Sequence, residues 1–309
     1  MTHIVVLGST NMDLVTYVEK PPQRGETVTG RELRTIPGGK GANQAIAAAH
    51  AGASVSMIGA VGTDSYGPRL RATLELPHPR LRSGGGTPMG VDTDLLRTIE
   101  GPSGTAHIVV DDEGGNAIVV IPGANGTVDH LAPGDEALIA SADTLLLQLE
   151  VPMPAVVAGA RAARANGVRT VLTPAPAQPL PAELLAATDL LVPNEYEAIT
   201  LTGRTDAVEA AVALLDSVPA VVVTLGAAGS LYVARGAEPL AVPAPQLTTV
   251  DSTGAGDTFV GALATALGEE RPIREALRWA AAASALSVQR PGASASMPYR
   301  SEIEAQYTS

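Results

Sequence analysis

Six short runs of β-branched residues and leucine recur along the chain: VVLG at 5–8, SVSMIG at 54–59, TLLLQLE at 144–150, RTVLTP at 169–174, DLLVPN at 189–194 and AVVVTLG at 220–226. Between them lie GANQAIAAAHAG, PMPAVVAGARAARANG and DAVEAAVALLDSV, which are rich in helix formers and end near Gly or Pro. Apolar runs of strand length that alternate with single helical segments are the pattern of parallel strands joined by crossovers and buried on both faces. The alternation predicts an α/β fold with a doubly wound, mainly parallel sheet. With 309 residues, 45% of them apolar, the chain can bury a core of that size without staples.

Two regions break the rhythm. Residues 15–36 and 96–121 read as short strands joined by Gly-rich turns, and they predict a small antiparallel sheet lying as a lid over the carboxyl edge of the main one. The expected organisation is one domain over 1–309 with these lid segments inserted. ELPHPRLRSGGGTPM, at 75–89, is too rich in Pro and Gly to continue the helical RLRATL before it and is read as an exposed loop.

Composition removes several classes of function. No cysteine is present, and His3, His50, His78, His107 and His130 lie too far apart for paired-ligand spacing, so no disulfide and no transition-metal site is expected. A net charge of −12 argues against a nucleic-acid partner, and with Lys20 and Lys40 the only lysines, an anionic ligand must be held by local devices. HIVVLG follows the N-terminus with no basic stretch before it, and no uncharged run reaches membrane-spanning length, so a cytoplasmic protein without a membrane partner is expected.

Ligands of open parallel sheets sit beyond the carboxyl ends of the strands. Polar or glycine clusters follow the apolar runs there: STNMD, Glu150, NEYE, LGAAG and, after TTV, DSTGAGD. The last feeds the helical run TFVGALATAL. A glycine turn at a helix N-terminus presents free amides and the positive end of a dipole to an anion, such as a phosphate whose charge grows during transfer. A carboxylate there, Asp257, can take a proton from a hydroxyl nucleophile, or can simply stabilise the helix dipole. Other glycine motifs fail on inspection. A Walker loop would need glycine at Arg34 and Ser or Thr at Gly41, and a dinucleotide fingerprint would need glycine at Phe259. PGGKGANQ brings glycines, Lys40 and Asn43 to a helix start, which suits a polyol or phosphate as well as a plain turn. Asn194 and Glu197 have capping-box spacing, and a carboxylate there can equally support hydrated magnesium on a nucleotide. TLGAAG, 224–229, reads as a hairpin turn or as a bed for a nucleotide.

Taken together, VVLGSTNMD, RGETVTG, PGGKGANQAIAA, PGAN, LLLQLEVP, TPAPA, VPNEYEA, VTLGAAG, VDSTGAGDTFVGAL and QRPGASASMP resemble the ribokinase-like sugar kinases over almost the whole chain. The resemblance implies ATP-dependent phosphorylation of a small sugar, D-ribose at its 5-hydroxyl first, to ribose 5-phosphate and ADP. It implies that Asp257 is the catalytic base and that Gly254, Ala255 and Gly256 form an anion hole. Asn11, Met12, Asp13, Gly39, Lys40, Gly41, Ala42, Asn43 and Glu150 match sugar-binding positions. Asn194, Thr224, Leu225, Gly226, Ala227, Ala228, Gly229 and Gly256 match nucleotide-binding positions, and Glu197 an indirect magnesium contact. Asp251, Thr253, Ser287, Arg290, Gly292 and Ser296 match a monovalent-cation site, where potassium would order the anion hole. A homodimer through the β lid is implied as well. The chain departs from the family in the 75–89 segment, in RPG where relatives often carry Arg-Lys-Gly, and in Ala280, where relatives often place a polar residue near the base. Deoxyribose or fructose as substrate, a nucleoside kinase and a non-catalytic sugar sensor are the competing expectations. Aromatics make up only 3% of the chain, which disfavours stacking on a nucleoside base.

Overall fold

The computed structural model describes residues 1–76, 90–113 and 115–308; most of the 75–89 segment lies outside them. The chain begins β1 (His3–Leu7), β2 (Asn11–Tyr17), β3 (Glu32–Gly38), α1 (Lys40–His50), β4 (Ser54–Gly62), α2 (Tyr66–Glu75), β5 (Leu96–Ile99), β6 (Gly104–Val110) and β7 (Asn116–Ile121). It continues with α3 (Asp135–Ala140), β8 (Thr144–Leu147), α4 (Met153–Ala165), β9 (Arg169–Leu172), α5 (Ala182–Ala186), β10 (Leu190–Leu191), α6 (Glu195–Thr202) and α7 (Ala207–Leu214). It closes with β11 (Ala220–Thr224), β12 (Ser230–Ala234), β13 (Leu240–Val242), α8 (Ala255–Gly268), α9 (Ile273–Ser287) and α10 (Arg300–Thr308).

The large sheet has the order β13-β12-β11-β10-β9-β8-β1-β4-β5, parallel from β11 to β5 and antiparallel at the β12 and β13 edge. Side chains alternate between two cores, as a pleated strand buried on both faces requires. Ile4 and Val6 pack with α1, α8 and α9 around Trp279 and Phe259, whereas Val5 and Leu7 pack with α4 and α7. Alanine and glycine let the helices approach closely. A Cβ on Gly261 of α8 would lie 2.6 Å from the Ala47 side chain and 2.7 Å from the Ala48 amide of α1. That contact decides the site, because it brings the first turns of α1 and α8 together at the carboxyl edge of the sheet.

The small sheet, β3-β2-β6-β7, is antiparallel at both outer pairs and parallel at its central β2–β6 pair. Its boundaries differ from those expected. β2 starts at Asn11, directly after β1, and Leu96–Ile99 does not join this sheet but pairs with β4 as the edge of the large one. The TTV run at 248–250 forms no strand either. Its backbone is held by Val288 O, which accepts from Val250 N and Asp251 N, and Val250 stays exposed. A short run without a strand neighbour to complete its ladder does not become one.

Candidate active site

The site is built from the loops after β1, β8, β9, β10 and β11, from the start of β2 and from the N-termini of α1 and α8. Glu150 is the hub of one half. Its Oε2 accepts from Ser9 Oγ at 2.5 Å, Lys40 N at 3.0 Å and Asn11 Nδ2 at 3.5 Å. Buried Asn125, from the PGAN turn, fixes the loop after β1. It accepts from Thr10 N at 3.0 Å and donates to Thr10 O at 3.0 Å and Asn11 Oδ1 at 2.7 Å. Gly39 caps α1 at φ 93°, a conformation that favours glycine, and a Cβ there would lie 2.7 Å from Asn11 N. Gly38 leaves room for the Asp13 carboxylate, which a Cβ would meet at 2.4 Å.

Asp257, in the first turn of α8, is the centre of the other half. Its Oδ2 accepts from Asn43 Nδ2 at 3.0 Å and its Oδ1 from Gln44 Nε2 at 3.0 Å. Burial raises its pKa, against the opposing charge of Lys40 and the two amide donors, while the Glu150 charge adds to the rise. Gly254, at φ 74°, turns the chain into α8. The Gly254, Gly256 and Asp257 amides have no hydrogen-bond partner among the described residues. They open on a cleft lined by Lys40, Asn194, Glu197, Thr224, Ser252 and Asp257. Burial opposes the Lys40 charge, but Asp257, Glu150, Glu197 and Asp13 outweigh it and hold the ammonium pKa above its ordinary value. One cation among four carboxylates therefore stays charged.

Asp13 is pushed up to about 7, first by burial, then by Glu150 and Asp257, with Lys40 opposing. Between the ordinary value of 3.8 and about 7 the folded chain holds a proton here that the unfolded chain has lost. Stability therefore falls as pH rises through that window, and the penalty is complete above it. Asp13→Asn removes the charge, so the ligand-free variant melts above the wild type at about pH 8 and loses that advantage at about pH 4. An equal gap at both pH values in thermal melts contradicts this.

A second cleft, of about 220 Å³, adjoins the first through Thr224, Ser252, Ala255 and Gly256. Thr224, Gly226, Ala227 and Gly229 form one wall, the 244–247 segment another, and Ala281, Ser284, Ala285 and Val288 of the α9 region a third. TLGAAG is thus both the turn between antiparallel β11 and β12 and a cleft wall.

Asn194 and Glu197 form the full capping box of α6, with both reciprocal bonds at 2.8 Å, and also face the first cleft. Burial raises the Glu197 pKa, opposed by the Asn194 amide and Lys40. Asp251 Oδ1 accepts from Thr253 N at 2.9 Å and its Oδ2 from Gly292 N at 2.8 Å. Burial favours its protonation, yet these amides win and hold the carboxyl below its usual range. No Lys or Arg pairs with it among the described residues.

Several sequence-predicted residues are not brought to a cleft by their side chains. Met12 points into the apolar core because β2 alternates, and Ala42 packs there too. Leu225 packs on the other core, and Ala228 does not line the second cleft. Ser287 and Ser296 donate their hydroxyls to Ser284 O and Ala293 O, and the Arg290 guanidinium pairs with Glu302. Ala280 is fully buried; Ala281 and Ser284, further along α9, reach the cleft instead. Sequence reasoning missed Ser9, Gln44, Asn125, Ser252 and the 244–247 wall. Gln44 stood inside a quoted motif, but only helix packing shows what it faces.

The chain matches the family model described as pfkB family carbohydrate kinase over residues 1–300. It is 41% identical over 310 residues to the ribokinase of Bacillus subtilis, covering 98% of this chain and 99% of that one. The ribokinase of Haemophilus influenzae is 40% identical over 307 residues, covering 97% and 96%. Among solved structures, Arabidopsis thaliana ribokinase complexed with ribose and ATP superposes with a TM-score of 0.89 at 33% identity, with all of both chains covered.

Proposed function

The chain belongs to the pfkB family of carbohydrate kinases, and from that premise we propose that it transfers the γ-phosphate of ATP to the 5-hydroxyl of D-ribose, giving ribose 5-phosphate and ADP. The observation that carries this reading is Asp257, a buried carboxylate between the Glu150 cluster on one side and unpaired helix amides on the other. The near-full-length likeness to ribokinases supports ribose as the sugar.

In the proposed mechanism the sugar lies among Asn11, Asp13, Lys40, Asn43 and Glu150, whose amides and carboxylates suit bidentate capture of hydroxyls. Gly39, Gly41 and the Ala42 and Met12 backbones shape that wall. Asp257 takes the proton from the primary hydroxyl as its oxygen attacks the γ-phosphorus. Burial makes this carboxylate a stronger base, and the Asn43 and Gln44 donors hold both of its oxygens. The amides of Gly254 and Gly256 receive the charge that develops on the transferred group, aided by the α8 dipole and Lys40, whereas the Ala255 amide already donates to Ser252 O at 3.2 Å and holds the turn between them. The nucleotide lies along Thr224–Gly229, with Asn194 nearby. Asn194 and Glu197, which line the first cleft, would hold the hydrated magnesium ion that accompanies ATP, and it would neutralise phosphate charge there.

Asp251, with Thr253, Ser287, Arg290, Gly292 and Ser296, is proposed to bind potassium. Its carboxylate is held by the Thr253 and Gly292 amides and forms no ion pair with Lys or Arg among the described residues, which supports a cation there with backbone carbonyls as the remaining ligands. Asp251→Ala should abolish activation by potassium and leave basal turnover; a potassium response like that of the wild type refutes the site. Ile118, Val119, Val120 and Ile121 of edge strand β7 are all exposed, at 54, 60, 42 and 47%, which supports a homodimer through the small sheet. A monomer in light scattering overturns it.

ADP release measured with magnesium, potassium, ATP and a panel of ribose, deoxyribose, fructose and nucleosides tests the function. Ribose should give the highest kcat/KM. No sugar-dependent ADP would leave a non-catalytic sensor. A nucleoside kinase is disfavoured because Tyr17, the aromatic residue of the small sheet, has Arg34 stacked on it 4.9 Å from the ring centre.

A further inference from the structure

Two glutamines are fully buried behind Asp257, Gln44 bonded to the carboxylate and Gln148, which has no part in the mechanism above, bonded to Gln44. Gln44 Nε2 donates to Asp257 Oδ1 at 3.0 Å and lies 3.2 Å from Thr173 Oγ1, while Gln44 Oε1 accepts from Gln148 Nε2 at 2.6 Å. The direction of this chain is forced. An ionised carboxylate only accepts, so the Gln44 amide nitrogen must face Asp257 and its oxygen must face away. Gln148 must then present its own nitrogen, which leaves Gln148 Oε1 buried without a hydrogen-bond partner among the described residues, against the backbone of Gly8. A buried orphan acceptor is destabilising, and an apolar residue at 148 would avoid it. The same residue follows β8 directly and stands two positions before Glu150, so the chain also ties the Asp257 carboxylate to the segment that carries the sugar-site hub.

We propose that Gln44 is a positioning residue that orients the Asp257 carboxylate for proton abstraction, and that Gln148 locks Gln44 in the donating orientation. The inference rests on Asp257 being the base. Asn43 holds the other carboxylate oxygen from the neighbouring position of α1, but its Oδ1 has no hydrogen-bond partner among the described residues and is assigned above to the sugar. Gln44 has no such second duty toward the sugar, because its amide is fully engaged with protein groups.

The test is a double-mutant cycle in steady-state kinetics with ribose and ATP. Gln44→Met, which keeps the volume and loses the donor, should lower kcat about 10- to 100-fold with KM for ribose within about twofold. Gln148→Met should lower kcat about fivefold, and adding it to Gln44→Met should change nothing further, because its effect passes through Gln44. A purely structural pair would lower the melting temperature and leave the kcat of the folded protein unmoved, which overturns the proposal, as do additive effects on kcat or a change confined to KM. Should Gln44→Met fail to fold, Gln148→Met alone decides, since an unchanged kcat there sinks the lock. Asp257→Asn in the same assay separates the two readings. Preserved turnover in that variant refutes the base, whereas lost turnover beside a fully active Gln44→Met refutes only the positioning role.

Discussion

Asp257→Asn should fold, bind ribose and turn over at least ~100-fold more slowly than the wild type, the usual contribution of a positioned base. The substitution keeps the shape of the side chain and removes its charge. Because burial already disfavours that charge, stability should hold or rise. The new amide also conflicts with its surroundings. Asn43 and Gln44 each donate to one carboxylate oxygen, and an amide at 257 offers only one oxygen, so one donor must turn away. Gln44 cannot invert without losing Gln148, which makes Asn43 the residue expected to move. Single-turnover kinetics measure the chemical step, and calorimetric titration with ribose measures binding. A kcat within tenfold of wild type, with binding intact, would end the assignment of Asp257 as base.

Gly41→Ala should be the most damaging small change in the site. By helix propensity alone, alanine in α1 would be preferred over glycine by about 1 kcal/mol. Here a Cβ would meet Ser9 N at 2.6 Å, the Gly8 carbonyl carbon at 2.7 Å and Ser9 O at 2.7 Å, all of them backbone. Backbone held in β1 and its loop cannot swing aside as a flexible side chain can. The expected result is a loss of about 2 to 3 kcal/mol in urea unfolding, typical of overpacking. Ribose affinity should fall with it, because Ser9 Oγ supports Glu150 and Ser9 O accepts from Ala42 N. A variant as stable as the wild type would show that the loop after β1 yields.

The parallel sheet was legible because its signal is local. VVLG, TLLLQLE and AVVVTLG are apolar on both faces and bounded by turns, and only a strand covered on both sides satisfies that pattern. TTV at 248–250 misled for the same reason, since a β-branched triplet cannot reveal whether a neighbouring strand exists to pair with it. LRTI at 96–99 showed a strand but not which sheet would take it. The residues 77–89, most of the segment read as a loop, are outside the described structure.

The sequence by itself determined the sheet, the carboxyl edge at which a ligand would gather, and most of the polar groups there, because short-range periodicity and glycine turns carry that information. Only the tertiary structure decided which of those groups meet. Asn43 and Gln44 reach Asp257 across more than two hundred residues because α1 and α8 pack closely at Gly261, Ala47 and Ala48. It also turned Met12 into the core while its neighbours Asn11 and Asp13 stayed with the site, a separation set by the pleat of β2. Contacts between residues distant in the chain depend on helix separation and strand register, and no local motif encodes either.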